Sequence, residues 1–293
     1  METFLETLVR GVMLGSVYAL LALGLVLLFK SSRILNLAYG YMLMLLGYIF
    51  CLFFVTWGLP AAFSIILVFI IAALLGLVLD RFAFRPLIGQ PIFAIIVLTL
   101  VLGFLFDGIA ILGWKSLPLP IGLIPAGGVS LGAIRLPYAE LLSFIIALLL
   151  FAVVVLLFQR AKIGLAMRCV AEDHQLSQSM GISVKRIFAI SWAISLVIAA
   201  VAAILLGSMQ TVSPMLSFVG LAKALPVILL GGLESIPGAL VGGLIIGLAE
   251  LFSITYLDPV LGGFSGIMPF ILMLLILLIR PYGFFGLRII ERI

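Results

Sequence analysis

The stretch VMLGSVYALLALGLVLLF, residues 12–29, decides the fold. It holds no charged residue and no proline, and it is bracketed by Arg10 and Lys30. A helix of ~20 apolar residues spans the ~30 Å hydrocarbon core of a bilayer. Inside lipid, a helix satisfies its own backbone groups, so this stretch reads as a membrane-spanning helix. Similar apolar runs follow at 34–55, 61–79, 92–112, 141–158, 187–206, 218–230, 239–254 and 267–279. The run at 218–230 is short and flanked by glycine, so it reads either as a full span or as a broken, re-entrant helix. The expected fold is therefore an all-α, polytopic transmembrane helical bundle of eight or nine spans.

Composition agrees. Hydrophobic residues make up 66% of the chain and charged residues 9%, against roughly 45–50% and 25% in soluble domains. So few charges cannot cover a water-soluble globule of this length, and the bilayer must be the solvent. The start METFLE is acidic, unlike the basic start of a cleaved signal peptide. The first run is thus expected to stay as a span.

Basic residues are 16 and acidic residues 11. The excess lies between apolar runs and forms no basic-aromatic platform, which argues against nucleic acid and for membrane topology. Lys30 and Arg33, then Arg81 and Arg85, then Arg160, Lys162, Arg168, Lys185 and Arg186, then Arg280, Arg288 and Arg292 fall in alternate loops. The opposite loops hold only Lys115 and Arg135, with Lys223 near the seventh segment. The basic set is expected in the cytoplasm, with the C-terminus inside. Nine crossings then put the N-terminus outside, and eight would misplace one basic cluster. The outer loop 114–138, rich in Gly and Pro, reads as ordered turns. No soluble domain is visible, so residues 1–293 read as one transmembrane domain containing the polar cytoplasmic loop 159–186.

Several chemistries are excluded. The two cysteines, Cys51 and Cys169, lack metal-ligand spacing and a setting for a disulfide. His174 is the only histidine, too few for a usual metal site. It reads as solvated or docking. No P-loop motif is present and no nucleophile–base–acid set. The chain is expected to be no enzyme and to need no cofactor.

Polar residues inside apolar runs need partners. Asn36 must bond to a neighbouring helix or line a pathway. Asp107 is the deepest carboxylate; it reads as a pathway residue or as a carboxylate bonded to a neighbouring helix end. Glu234 sits in a glycine-rich turn and reads as solvated, and Glu250 reaches the outer interface. Small residues at 238, 239, 242, 243 and 247 have the spacing that lets helices approach closely. They read as packing or as pathway lining.

The stretch 164–182, GLAMRCVAEDHQLSQSMGI, is the longest polar run. Its apolar residues Leu165, Cys169, Leu176, Met180 and Ile182 fit a short amphipathic helix. Arg168 and Glu172 stand at i,i+4, Asp173 follows, and Gly181 is placed to cap the end. Such a helix suits docking into a partner's groove or lies as an ordinary interfacial helix.

This stretch resembles the cytoplasmic loop of the branched-chain amino acid ABC permease family, LivH type. Three further stretches are similar to that family in order: Gly15–Gly24 with Leu35–Gly40, Leu230–Gly243 running on to Glu250, and Arg280–Gly286; Arg85-Pro86-Leu87 also fits. The resemblance runs from residue 11 to 286. It implies that Gly164, Arg168, Glu172, Asp173 and Gly181 belong to a coupling helix gripped by an ATP-hydrolysing subunit. It also implies two ATP-binding subunits, a second and related permease chain, an external periplasmic solute-binding protein and a bacterial inner-membrane location. The implied cargo is a branched-chain or related small amino acid, moved by alternating access. One departure stands out. Where the family commonly reads Asn-Phe-Ala-His-Gly and then a Glu or small polar residue, this chain has Asn36-Leu37-Ala38-Tyr39-Gly40-Tyr41. Asn36, Tyr39, Tyr41 and Asp107 are thus the candidate pathway residues. The two tyrosines widen the range of solutes to another amino acid, an amide or urea. An ion-coupled secondary transporter would want paired deep carboxylates, of which only Asp107 qualifies. A membrane scaffold fits poorly with so many packing glycines and polar interruptions.

Overall fold

The computed structural model describes residues 2–87, 90–131 and 134–286. The expected basic residues Arg288 and Arg292 lie outside the described residues. Helices α1 (Glu2–Ser32), α2 (Tyr39–Cys51), α3 (Ala61–Leu79), α4 (Ile92–Trp114) and α5 (Tyr138–Arg160) come first. Two short helices, α6 (Lys162–Glu172) and α7 (His174–Ser179), form the polar loop. Then follow α8 (Val184–Met209), α9 (Met215–Gly231), α10 (Ile236–Phe252), α11 (Asp258–Leu261) and α12 (Met268–Ile279). Each expected apolar run is met by a helix.

Among the described residues, seven helical stretches are long and apolar enough to cross a membrane, and α9 and α12 are shorter apolar helices. The protein is a polytopic helical membrane protein. At ~1.5 Å per residue α9 reaches roughly 26 Å and α12 roughly 18 Å, short of a ~30 Å core. The loop before α5 holds a two-stranded antiparallel ribbon, β1 (Gly128–Leu131) on β2 (Ile134–Pro137), with Val129 opposite Leu136. The turns expected at 114–138 therefore include a small hairpin.

The chain divides into two compact units, each built from separated stretches. One comprises residues 1–26, 125–149 and 222–293; the other comprises 27–124 and 150–221.

In the first unit, α1 and α10 meet through glycine. A Cβ on Gly15 would stand 2.8 Å from the Gly243 carbonyl oxygen, and one on Gly243 would stand 2.5 Å from the Ala19 nitrogen. Only missing side chains allow two backbones this close. The small residues of α10 are therefore packing residues. At the other end of α10, the chain after α12 folds back on the α9–α10 turn: the Phe284 and Phe285 amides donate to the carbonyls of Leu230 and Gly231. Two pairs of the motif stretches, 15–24 with 243–247 and 230–232 with 283–286, thus touch in space.

In the second unit, α8 packs against α3 and α2, and α2 against α4. Gly76 of α3 faces the Trp192 backbone, where a Cβ would stand 2.7 Å from its carbonyl oxygen. The Trp192 ring lies 4.3 Å from that of Phe84, centroid to centroid. Much of α3, α4 and α5 stays exposed and apolar, including Phe63, Ile66, Ile70, Phe104, Leu112 and Leu149. Such surfaces suit lipid or a second membrane chain.

Candidate functional site

The polar loop is held on one face and open on the other. Gly164 lets α6 press against the end of α5, since a Cβ there would collide with the carbonyl oxygens of Leu157 and Phe158. Met167, Val170 and Ala171 are buried on the same side. Arg33, in a left-handed conformation at φ 58°, donates from Nη2 to the Ala171 carbonyl at 3.1 Å. Lys30 lies over the Phe158 ring at 5.2 Å, as does Arg168 at 5.7 Å. His174 meets Phe188 of α8 edge-on at 5.4 Å. Arg85 pairs with buried Asp80 at 2.8 Å and donates to the Lys185 carbonyl at 2.9 Å. Three of the basic clusters read from the sequence therefore gather at one end of this unit.

The outer face carries Ile163, Leu165, Leu176 and Met180, all exposed. Leu176 is 63% exposed and Met180 76% exposed, so these apolar side chains have little to cover them within the chain. Glu172 and Asp173 stand exposed beside them. The loop is two helices and not the single one expected. Asp173 breaks it, with φ −151° and ψ 120°, and caps α7: its Oδ1 accepts from the amides of Gln175 at 2.7 Å and Leu176 at 2.9 Å. Arg168 turns toward the Gln159 carbonyl, 3.3 Å away. Gly181 ends the loop as expected, at φ +82°.

The four candidate pathway residues cluster around α2. Asn36 is fully buried, but it lies in the non-helical segment before α2 and not within a helix. Its Oδ1 accepts from the Ala38 amide at 3.0 Å, and its Nδ2 approaches the Met42 sulfur at 3.5 Å. The side chain thus closes a local turn that delays the helix. Tyr39 is buried and donates to the Ser195 carbonyl of α8 at 3.4 Å. Tyr41 faces the other way: its ring would be 2.9 Å from a Cβ on Gly103 of α4. Asp107 lies half-buried one turn further along α4. The four do not converge on one point. Tyr39 and Tyr41 point from α2 to different helices, Asn36 closes the turn before α2, and Asp107 lies on α4.

Sequence reasoning missed an ion pair in the other unit. Lys223 of α9 and Glu250 of α10 stand 2.9 Å apart, with side-chain exposures of 9% and 12%. Neither reaches an open surface, contrary to the expectation for Glu250. A signal existed. Gly231 faces Gly238 and Val227 faces Gly242, an antiparallel register that puts Lys223 opposite Ile246, one helical turn from Glu250. Glu234 sits half-buried in the turn between α9 and α10.

Known proteins resemble this chain along nearly its whole length. The family model described as "Branched-chain amino acid transport system / permease component" matches residues 7–277. The high-affinity branched-chain amino acid transport system permease protein BraD of Pseudomonas aeruginosa is 29% identical over 99% of this chain and 98% of its own. The permease protein LivH of Salmonella typhimurium is 30% identical over the same shares. A probable LivH of Methanocaldococcus jannaschii is 30% identical over 94% of this chain and 90% of its own. Among solved structures, PsaBC from Streptococcus pneumoniae in complex with Fab superposes with a TM-score of 0.51 at 15% identity, covering 96% of this chain and 93% of that one. That likeness concerns the fold alone. The chain belongs to the permease-component family of branched-chain amino acid transport systems.

Proposed function

We propose that this chain is the membrane-spanning subunit of an ATP-driven importer, moving branched-chain or related small amino acids across the bacterial inner membrane by alternating access. The observation that carries this reading is the half-anchored loop. One face of α6 and α7 is fixed to the ends of α1, α5 and α8, and the other offers exposed Leu165, Leu176 and Met180 beside Glu172. An apolar row with adjacent charge suits a groove on another protein. Two ATP-binding subunits, one on each of two permease chains, would grip this loop through Gly164, Arg168, Glu172, Asp173 and Gly181. Their closure on ATP would pull on α1 and α8 through Arg33 and His174. The second permease is a related chain, and a periplasmic solute-binding protein delivers the solute to loops such as 114–138. The chain itself performs no catalysis.

The gathering of Lys30, Arg33, Arg85, Lys185 and the α6 basic residues at one end of a unit supports a cytoplasmic placement of that end; the alternation of basic loops along the sequence supports a cytoplasmic C-terminus and nine crossings, two of them the short α9 and α12. Asn36, Tyr39, Tyr41 and Asp107 remain the candidate pathway residues around α2. The names of the relatives support branched-chain amino acids as solute, and the tyrosines at 39 and 41 leave room for another amino acid, an amide or urea.

The test is co-purification with the ATP-binding subunits. Glu172→Lys and Leu165→Asp, which spare the cap at Asp173, should each release them while leaving the permease monodisperse. Undiminished capture of the ATPase by both variants would refute the docking assignment.

A further inference from the structure

Three polar side chains of one unit meet far from any loop. The Lys223–Glu250 ion pair joins α9 to α10, and the buried Tyr18 phenol of α1 lies near Glu250. Oε2 of Glu250 is buried with no hydrogen-bond partner. Position along the helices locates the group. Lys223 is the central residue of Met215–Gly231, and Tyr18 and Glu250 lie within two residues of the middle of the apolar stretches Thr3–Ser32 and Ile236–Leu261. The three therefore sit at mid-span.

Ionised groups at that depth are costly and mark solute or ion pathways in membrane proteins. Helix packing does not require this one, because α9 and α10 already meet through Gly231 against Gly238 and Val227 against Gly242. Pro226, inside α9, adds a further group. It has no N–H, so the Ala222 carbonyl beside Lys223 lacks its usual donor four residues on. One turn of α9 and the facing turn of α10 thus present an ammonium, a phenol, an unsatisfied carboxylate oxygen and a carbonyl without its helical donor.

We propose that the Lys223–Glu250 pair recognises the charged end of a crossing amino acid, Lys223 taking its α-carboxylate and Glu250 its α-ammonium. Electroneutrality sets the selectivity. The closed pair has no net charge, and neither does a zwitterion. Opening the pair around a zwitterion builds two ion pairs from one and buries no net charge. An amide with only the ammonium, or an acid with only the carboxylate, would leave one charge unpaired at mid-span.

This inference rests on the importer reading, and the experiment separates the two. The chain is assembled with its partner subunits in proteoliposomes, and ATP-dependent uptake of labelled leucine is measured. Lys223→Met and Glu250→Gln should each cut uptake about tenfold or more, as expected for a lost charged contact. The double variant Lys223→Met/Glu250→Gln leaves no charge unpaired and should recover assembly and thermal stability, but not uptake. A double variant that imports leucine with the parent KM would overturn the inference and leave the importer reading intact. On the unmodified complex, a diazirine-bearing leucine photoactivated during turnover should label α1, α9 or α10 near Tyr18, Lys223 or Glu250. Labelling confined to other segments would also overturn it. Absence of ATP-dependent uptake of leucine and of every other labelled amino acid, amide or urea tested by the unmodified complex would overturn the importer reading and this inference together.

Discussion

Asp173 shows how one side chain shapes the loop. Its Oδ1 satisfies two amides at the start of α7, and loss of such a cap costs about 1 kcal/mol. Asp173→Ala should therefore speed amide hydrogen exchange at Gln175 and Leu176 without unfolding the spans. Unchanged exchange there would show that the bend is held otherwise. Arg85 does heavier duty. It is the ion-pair partner of Asp80, whose side chain is 1% exposed. Arg85→Ala leaves a buried carboxylate and should destabilise by on the order of 3 kcal/mol. Asp80→Leu in the same chain should restore most of that, read as melting temperature in detergent. At this scale the sequence was only partly legible. Gly181 as a terminator could be read directly, because few other residues tolerate its positive φ. The break at Asp173 had a signal, Asp being a favoured N-cap residue, but the amphipathic pattern ran across it. The Lys223–Glu250 pair depends on the register between two helices, which no single segment encodes.

The helices themselves were the most legible part. Residues 61–79 fold as one helix with those limits, because an apolar run in lipid has no alternative way to pair its backbone. The helix in the apolar run 34–55 starts later than the run does. Residues 34–38 look apolar, yet Asn36 turns the chain and Arg33 adopts a left-handed conformation, so α2 starts at Tyr39. The small residues of α10 reveal their partner only in three dimensions: Gly243 and Gly247 touch Ala19 and Gly15 of α1. Gly243→Leu would drive a side chain into that backbone. Overpacking of this kind costs about 3 kcal/mol or more, and the variant should lose its monodisperse peak in size-exclusion chromatography. A Gly108→Leu control, where a Cβ meets nothing within 4 Å, should behave as the parent. Equal behaviour of the two variants would contradict close α1–α10 packing.

For the molecule as a whole, membrane character was plain from composition, whereas orientation and partners are properties of the assembly. The native thiols offer an orientation test. Cys51 is buried and Cys169 partly exposed on the polar loop. In sealed vesicles, a membrane-impermeant maleimide should label Cys169 from the cytoplasmic side only. Labelling from the periplasmic side would invert the proposed topology. The proposed function requires that the chain take its work from a nucleotide-hydrolysing partner at the α6–α7 loop. The most direct measurement is uptake of labelled leucine into proteoliposomes holding the chain with or without its ATP-binding subunits. Accumulation that requires those subunits and ATP is the predicted result. Accumulation by the chain without them, on a proton or sodium gradient, would contradict it.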